Sequence, residues 1–331
     1  MKRIVWLLLI MGVGLQGGLY AQATLLNVSY DPTREFYKEL NPKFSAYWKE
    51  KTGISVTIQQ SHGGSGKQAR AVIDGLGADV VTLALSYDID QIAKKANLLP
   101  ENWQKQLPNN SSPFYSTIVF LVRKGNPKKI RDWSDLIKPG VEVITPSPKT
   151  GGGARYNVLA AWQSALDRTK SEAKANAYLK DLFKHVPVLD SGARGSTTTF
   201  TQRGIGDVLI TWENEALLLT LEKEKGQFEL VYPPQSIRAD IPVAVVEKNA
   251  KTHGTSRVAK AYLTYLFLPD GQTIGAKYYY RPKDKRVFDT FKQQFPAVKM
   301  ITVEEKFGGW DKANAKFFDD GALFDQIYTS R

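Results

Sequence analysis

Residues 55–85 read SVTIQQSHGGSGKQARAVIDGLGADVVTLAL. Ser55–Gln59 alternates as a strand does, whereas Ala69, Val72, Ile73 and Leu76 recur at helical spacing. Between them Ser61–Lys67 is a glycine-rich turn, and Asp79–Leu85 is an apolar run of the kind buried in parallel sheets. Strand, glycine turn, helix and strand in succession predict an α/β fold of mostly parallel sheets flanked by helices.

The same rhythm extends in both directions. Leu25–Ser29 is a strand, and Asp31-Pro32 reads as a capping carboxylate with proline at the first helical position. Helix is expected to Leu40, with a restart at Asn41-Pro42 toward Lys51 and an end at Thr52-Gly53. Further strands are expected at Ser116–Arg123, Glu142–Thr145, Pro187–Leu189, Asp207–Trp212 and Val243–Val246. A helix after Gly153 places Val158, Leu159, Trp162, Ala165 and Leu166 on one face, and helices follow at Glu213–Lys225 and Val258–Leu268. The 331 residues are about twice the ~150 expected for one domain. Extended crossings near Ser116–Phe120 and Ile237–Val243 predict a discontinuous first lobe, 24–117 with 241–331, and a second lobe, 118–240.

Hydrophobic residues are 42% and charged residues 24%, a globular balance that excludes disorder and a polytopic membrane protein. Lys2 and Arg3, the apolar run Ile4–Leu15 and Ala21-Gln22-Ala23 form the three parts of a signal peptide, residues 1–23. The apolar run is shorter than the about 20 residues that span a bilayer. There is no cysteine, so no disulfide framework, thiolate metal site, cysteine nucleophile or lipid-modified cysteine is available. An exported, soluble protein without disulfides points to a bacterial periplasm. The net charge of +12 falls to +10 without Lys2 and Arg3. It is spread along the chain, which suits faster encounter with anions rather than a nucleic-acid surface.

The chemistry lies in glycine-rich turns at helix starts. Ser61–Gln68 departs from the phosphate-loop pattern at both ends, with Ser61 for its first glycine and Gln68 for its hydroxyl residue. What survives is more general: glycine lets the backbone approach a ligand, and the first N–H groups of a helix lack internal acceptors. With the helix dipole they form an anion site without any charged side chain. Gly151-Gly152-Gly153 and Gly192-Ala193-Arg194-Gly195 repeat the arrangement. His62, His185 and His253 do not share a metal-binding spacing, and Ser65 lacks a nucleophile elbow, so no cofactor or catalytic set is implied.

Asn27–Arg34 (NVSYDPTR), Ser61–Ala69 (SHGGSGKQA), Asp190–Phe200 (DSGARGSTTTF), Gly206–Ala216 (GDVLITWENEA) and Phe307–Trp310 (FGGW) resemble the periplasmic sulfate-binding proteins. These are receptors of sulfate/thiosulfate ABC importers. The resemblance implies a two-lobed periplasmic-binding-protein fold of type II, a monomer that hands sulfate or thiosulfate to a membrane permease. It further implies that the anion is held by uncharged donors. Those are the N–H groups of Asp31, Ser65, Gly152, Gly153 and Ala193 and the indole of Trp212. Where the family commonly carries a serine this chain has Gly151, and Thr150 is the neighbouring hydroxyl. Lys67, Arg155 and Arg194 are expected to neutralise carboxylates rather than touch the anion, and the Phe307–Trp310 segment to be a packed turn. The contrasting reading is an exported enzyme or polyanion-binding protein using the basic surface.

Overall fold

A computed structural model describes residues 23–329 of the chain. The signal-peptide features at 1–22 lie outside the described residues. Strand β1 (Ala23–Tyr30) runs parallel to β2 (Val56–Gly63) and β3 (Val80–Thr82). Strand β4 (Phe114–Arg123) follows, then β5 (Val143–Pro146), β6 (Leu189–Asp190) and β7 (Val208–Trp212), of which β6 and β7 pair parallel with β5. Strands β8 (Phe228–Val231) and β9 (Ser236–Ile241) lie antiparallel to β4, and β10 (Val243–Val245) returns antiparallel to β3. Two short strands, β11 (Arg281–Pro282) and β12 (Met300–Ile301), pair with β4 and β9. The result is a four-stranded sheet, β10-β3-β1-β2, and an eight-stranded sheet built along β12-β9-β4-β7-β5-β6.

The chain passes from the small sheet to the large one at β4 and comes back from β9 to β10. These two crossings are themselves paired, Phe114 with Ile241 and Thr117 with Arg238. The parallel expectation holds for β1–β3 and for β5–β7, but β4 is antiparallel to β7, β8 and β9. The final segment does not return wholly to the small sheet: Met300-Ile301 pairs with β9, Phe317 packs on Trp162 and Phe324 on Phe183. Apolar faces of the large sheet's helices would otherwise stay exposed.

Other local expectations change for identifiable reasons. Asn41-Pro42 does not restart a helix, because one helix runs from Arg34 to Thr52 with Pro42 inside it. Phe36 and Leu40 before the proline, and Phe44 and Trp48 after it, are buried on one face, which keeps both halves on a common axis. Of Asp79–Leu85 only Val80–Thr82 is strand, although Leu83, Ala84 and Leu85 are fully buried. Asp31 is not a capping residue: no side-chain cap bond is made at that turn, and its carboxylate lies 3.8 Å from Arg34.

Tyr30, Gly63, Pro146, Asp190 and Trp212 are the carboxyl-terminal residues of β1, β2, β5, β6 and β7. Register places Tyr30 beside Gly63 and Pro146 beside Asp190. Ligands of open α/β sheets bind at these carboxyl ends. Both sheets direct theirs into the same cleft.

Candidate functional site

Each expected main-chain donor stands at a helix start. Asp31 opens a 3-10 turn that leads into the Arg34 helix, and Ser65 opens the helix Ser65–Ile73. Gly152 and Gly153 open the helix Gly152–Thr169, and Ala193 opens Ala193–Thr201. None of these starts carries a side-chain cap bond. Their first N–H groups, which cannot bond within the helix, are therefore not occupied by capping side chains.

The glycine turns of the two sheets abut. A Cβ on Gly64 would come within 2.8 Å of the Thr150 carbonyl and 3.2 Å of that of Ser191, and one on Gly192 within 3.1 Å of Asp31 Oδ2. At Gly152 it would meet the Ser65 Cβ at 2.8 Å, and at Gly153 it would collide with the Tyr30 hydroxyl and lie 2.8 Å from Trp212 Nε1. No side chain fits at Gly152 or Gly153, because atoms of Ser65, Ala84 and Leu85 in the first case, and of Tyr30 and Trp212 in the second, already occupy the place.

A small, partly open cavity remains, lined among others by Tyr30, Gly153, Asn157, Ala193, Ser196 and Trp212. Trp212 is 2% exposed, Tyr30 1% and Ser196 1%, yet Trp212 Nε1, the Tyr30 hydroxyl and Ser196 Oγ have no hydrogen-bond partner. Buried polar groups are paired in the large majority of cases, so several unpaired around one space mark a ligand's place. The lining also holds one neutral acceptor, Asn157 Oδ1, which has no partner because its Nδ2 is committed to Thr145 Oγ1 at 2.9 Å and to the Ile210 carbonyl. Tyr30, Ser196 and Asn157 are not legible as site residues in the sequence. Tyr30 and Ser196 do stand inside two of the quoted motifs, next to or near the residues that are.

Two expected residues are partly engaged elsewhere. The Gly151 N–H donates to the Ser147 carbonyl at 2.8 Å, so that amide closes the turn. Ser65 Oγ donates to Asp88 Oδ2 at 2.5 Å and accepts from the Ala84 N–H at 2.9 Å, which leaves only its main-chain N–H for a ligand. Thr150 Oγ1 is buried and unpartnered; of the expected residues Gly153, Ala193 and Trp212 line the cavity, whereas Asp31, Ser65, Thr150, Gly151 and Gly152 do not.

Formal charges are held beside the site. Arg194 bonds Glu35 at 3.0 Å, Lys223 bonds the same carboxylate at 2.5 Å, and Arg155 lies 4.0 Å from Asp88 and donates to Asn314. Among the described residues, no lysine or arginine lines the cavity. Burial pushes the Glu215 carboxyl up to about 7, against the pull of Arg194, so near neutrality much of it is uncharged. Burial raises Asp31 too, against Arg34, Arg194 and Lys67. His62 is pushed down to about 4 by burial and by Arg34, and is neutral beside Ser29 Oγ at 2.6 Å.

Trp212 is fixed from two sides. Its ring packs against Tyr30 at 5.3 Å and takes Tyr156 edge-on at 5.8 Å, and Tyr156 in turn meets Trp310 at 5.0 Å. Gly308 (φ 70°) and Gly309 (φ 97°) make the turn that delivers Trp310, which is what the Phe307–Trp310 segment does. The next residue, Glu213, is fully buried and forms a two-pronged pair with Arg281 at 2.6 and 2.7 Å.

Residues 25–281 match the family described as bacterial extracellular solute-binding protein. A sulfate-binding protein of Salmonella typhimurium is 60% identical over 304 residues, covering 92% of each chain. A thiosulfate-binding protein of Pseudomonas aeruginosa is 51% identical over 322 residues, 97% of each chain. Among solved structures, the sulfate-binding protein SubI of Mycobacterium tuberculosis superposes with a TM-score of 0.81 at 32% identity, covering 90% of this chain and 100% of that one.

Proposed function

Because this chain belongs to the bacterial extracellular solute-binding proteins and, within them, to the sulfate- and thiosulfate-binding group, we propose that its cavity takes sulfate for delivery to an ABC importer. It is a receptor and not an enzyme. The carrying observation is the buried, unpartnered Trp212 Nε1 among helix starts that no side chain caps. The ligand set we propose is the N–H groups of Asp31, Ser65, Gly152, Gly153 and Ala193 with the indole of Trp212. Residues 24–117 with 241–331 act as one lobe and residues 118–240 as the other, hinged at β4 and β9. The protein works as a monomer in the periplasm after residues 1–23 are removed, and the permease in the membrane receives the anion.

The selectivity follows from proton counting. Sulfate at neutral pH has no proton to give, whereas phosphate keeps at least one and favours a carboxylate acceptor. A carboxylate beside a dianion would cost about 8 kcal/mol at 4 Å with an effective dielectric near 20. The cavity's neutral acceptor, Asn157 Oδ1, adds no such repulsion. Donors to a charged group contribute about 1.5–3 kcal/mol each. Half a dozen are enough for the about −8 kcal/mol of micromolar binding once desolvation is subtracted.

Titration calorimetry with sulfate, thiosulfate, phosphate and molybdate tests the reading. Sulfate is expected to bind tightly and phosphate very weakly; equal affinity for both would refute an uncharged pocket chosen for sulfate. Thiosulfate is the second ligand to be expected, given the Pseudomonas relative. The sulfate constant should change little between low and moderate salt, since a buried site is poorly screened. A polyanion binder would lose affinity steeply. Trp212→Phe removes one donor and keeps an aromatic ring, and is expected to weaken sulfate binding by about 1–3 kcal/mol. An unchanged constant would take Trp212 out of the site.

A further inference from the structure

We infer that the Tyr30 hydroxyl is itself a donor to the bound oxyanion, a ligand side chain brought by β1 to the cavity that Trp212 enters from β7; this rests on the receptor reading above. Tyr30 is 1% exposed, and its hydroxyl proton meets no acceptor in the protein; the Gly153 N–H lies against the phenol oxygen. An unmade bond at such a group is costly, and the great majority of buried hydroxyls avoid it.

Three features direct this hydroxyl to the ligand. The point where a Cβ of Gly153 would sit collides with the Tyr30 hydroxyl and lies 2.8 Å from Trp212 Nε1, so both unpaired polar atoms border one small space at a helix start. The Tyr30 ring is wedged against the Trp212 ring at 5.3 Å, which prevents it from swinging to another partner. The residue that follows, Asp31, opens the next helix start, so side chain and adjacent main chain are delivered by the same strand end. Burial, reinforced by the Asp31 and Glu215 carboxylates, holds the phenol well above its ordinary range, so it keeps its proton. A fully ionised tetrahedral oxyanion offers only acceptors. A phenol that never ionises can therefore only donate to it.

The experiment is sulfate calorimetry on the full chain and on Tyr30→Phe, with thermal melting of both in the absence of sulfate. Phenylalanine keeps the packing against Trp212 and leaves out only the oxygen. The dissociation constant is expected to rise about 10- to 100-fold. The ligand-free melting temperature is expected to stay close to the parent's, because the hydroxyl proton has no acceptor in the protein and only the approach of the Gly153 N–H is lost. An unchanged dissociation constant overturns the inference while leaving the receptor reading standing. So does a weaker constant accompanied by a lower ligand-free melting temperature, which would make the hydroxyl a structural group. A parent chain that binds no sulfate removes the receptor reading and the inference together.

Discussion

Gly153→Ala is expected to weaken sulfate binding by about 100-fold. The added Cβ would overlap the Tyr30 hydroxyl and come to 2.8 Å from Trp212 Nε1. Both belong to bulky rings packed against each other, and the indole is held on its other side by Tyr156. Overpacking of this kind costs about 1–3 kcal/mol, and here the loss falls on the ligand's own space. Gly66→Ala is the control. Its Cβ would find the Thr150 carbonyl at 3.6 Å and Asp88 Oδ1 at 3.8 Å, ordinary contacts. In the Ser65–Ile73 helix, alanine in place of glycine should add about 0.5–1 kcal/mol of stability. Calorimetry on the two variants should show one affinity collapse and the other hold. A Gly153→Ala chain that binds like the parent would place the anion somewhere else.

The second large effect is on stability. Arg281→Met leaves Glu213 with no exposure, no cation and a single remaining hydrogen bond, from Tyr232. Removing one partner of a buried pair costs about 3–5 kcal/mol, because the remaining charge cannot be solvated. Glu213 starts the helix that follows Trp212, so the indole should be displaced as well and sulfate affinity should fall with the melting temperature. Replacing both, Glu213→Met with Arg281→Met, should recover much of the stability, as apolar pairs often substitute for buried ion pairs. Urea denaturation of the single and double variants decides this. A single variant as stable as the parent would mean that the fork is energetically idle.

These expectations depend on unequal legibility in the sequence. Ser61–Lys67, Gly151–Gly153 and Gly192–Gly195 announce themselves because glycine before a helical pattern has few other uses. What a string of letters does not carry is direction and partner. The apolar run at β4 has the same pattern whether it pairs parallel or antiparallel, so its antiparallel bonds to β7, β8 and β9 were not foreseeable. The carboxylate of Asp31 reads as a cap, and only the fold shows that it makes no cap bond and lies beside Arg34 and Gly192 instead. Tyr30 and Asn157 look like ordinary core positions of a strand and a helix. What sets them apart is a missing hydrogen bond, and an absence of that sort exists only in three dimensions. The packing of residues 300–329 on the large sheet is likewise decided by which apolar faces remain uncovered.

A grip made mostly of peptide N–H groups, as proposed, has a practical consequence for anyone who searches for this pocket by mutation. Truncating side chains one at a time, as in an alanine scan, would keep the amide at Asp31, could not vary Ala193 at all, and at Ser65 would report on its bonds to Asp88 and Ala84 rather than on the ligand. The functional map would come out nearly blank where the guest is held most firmly. It would light up instead at glycines, where a scan adds atoms rather than deleting them.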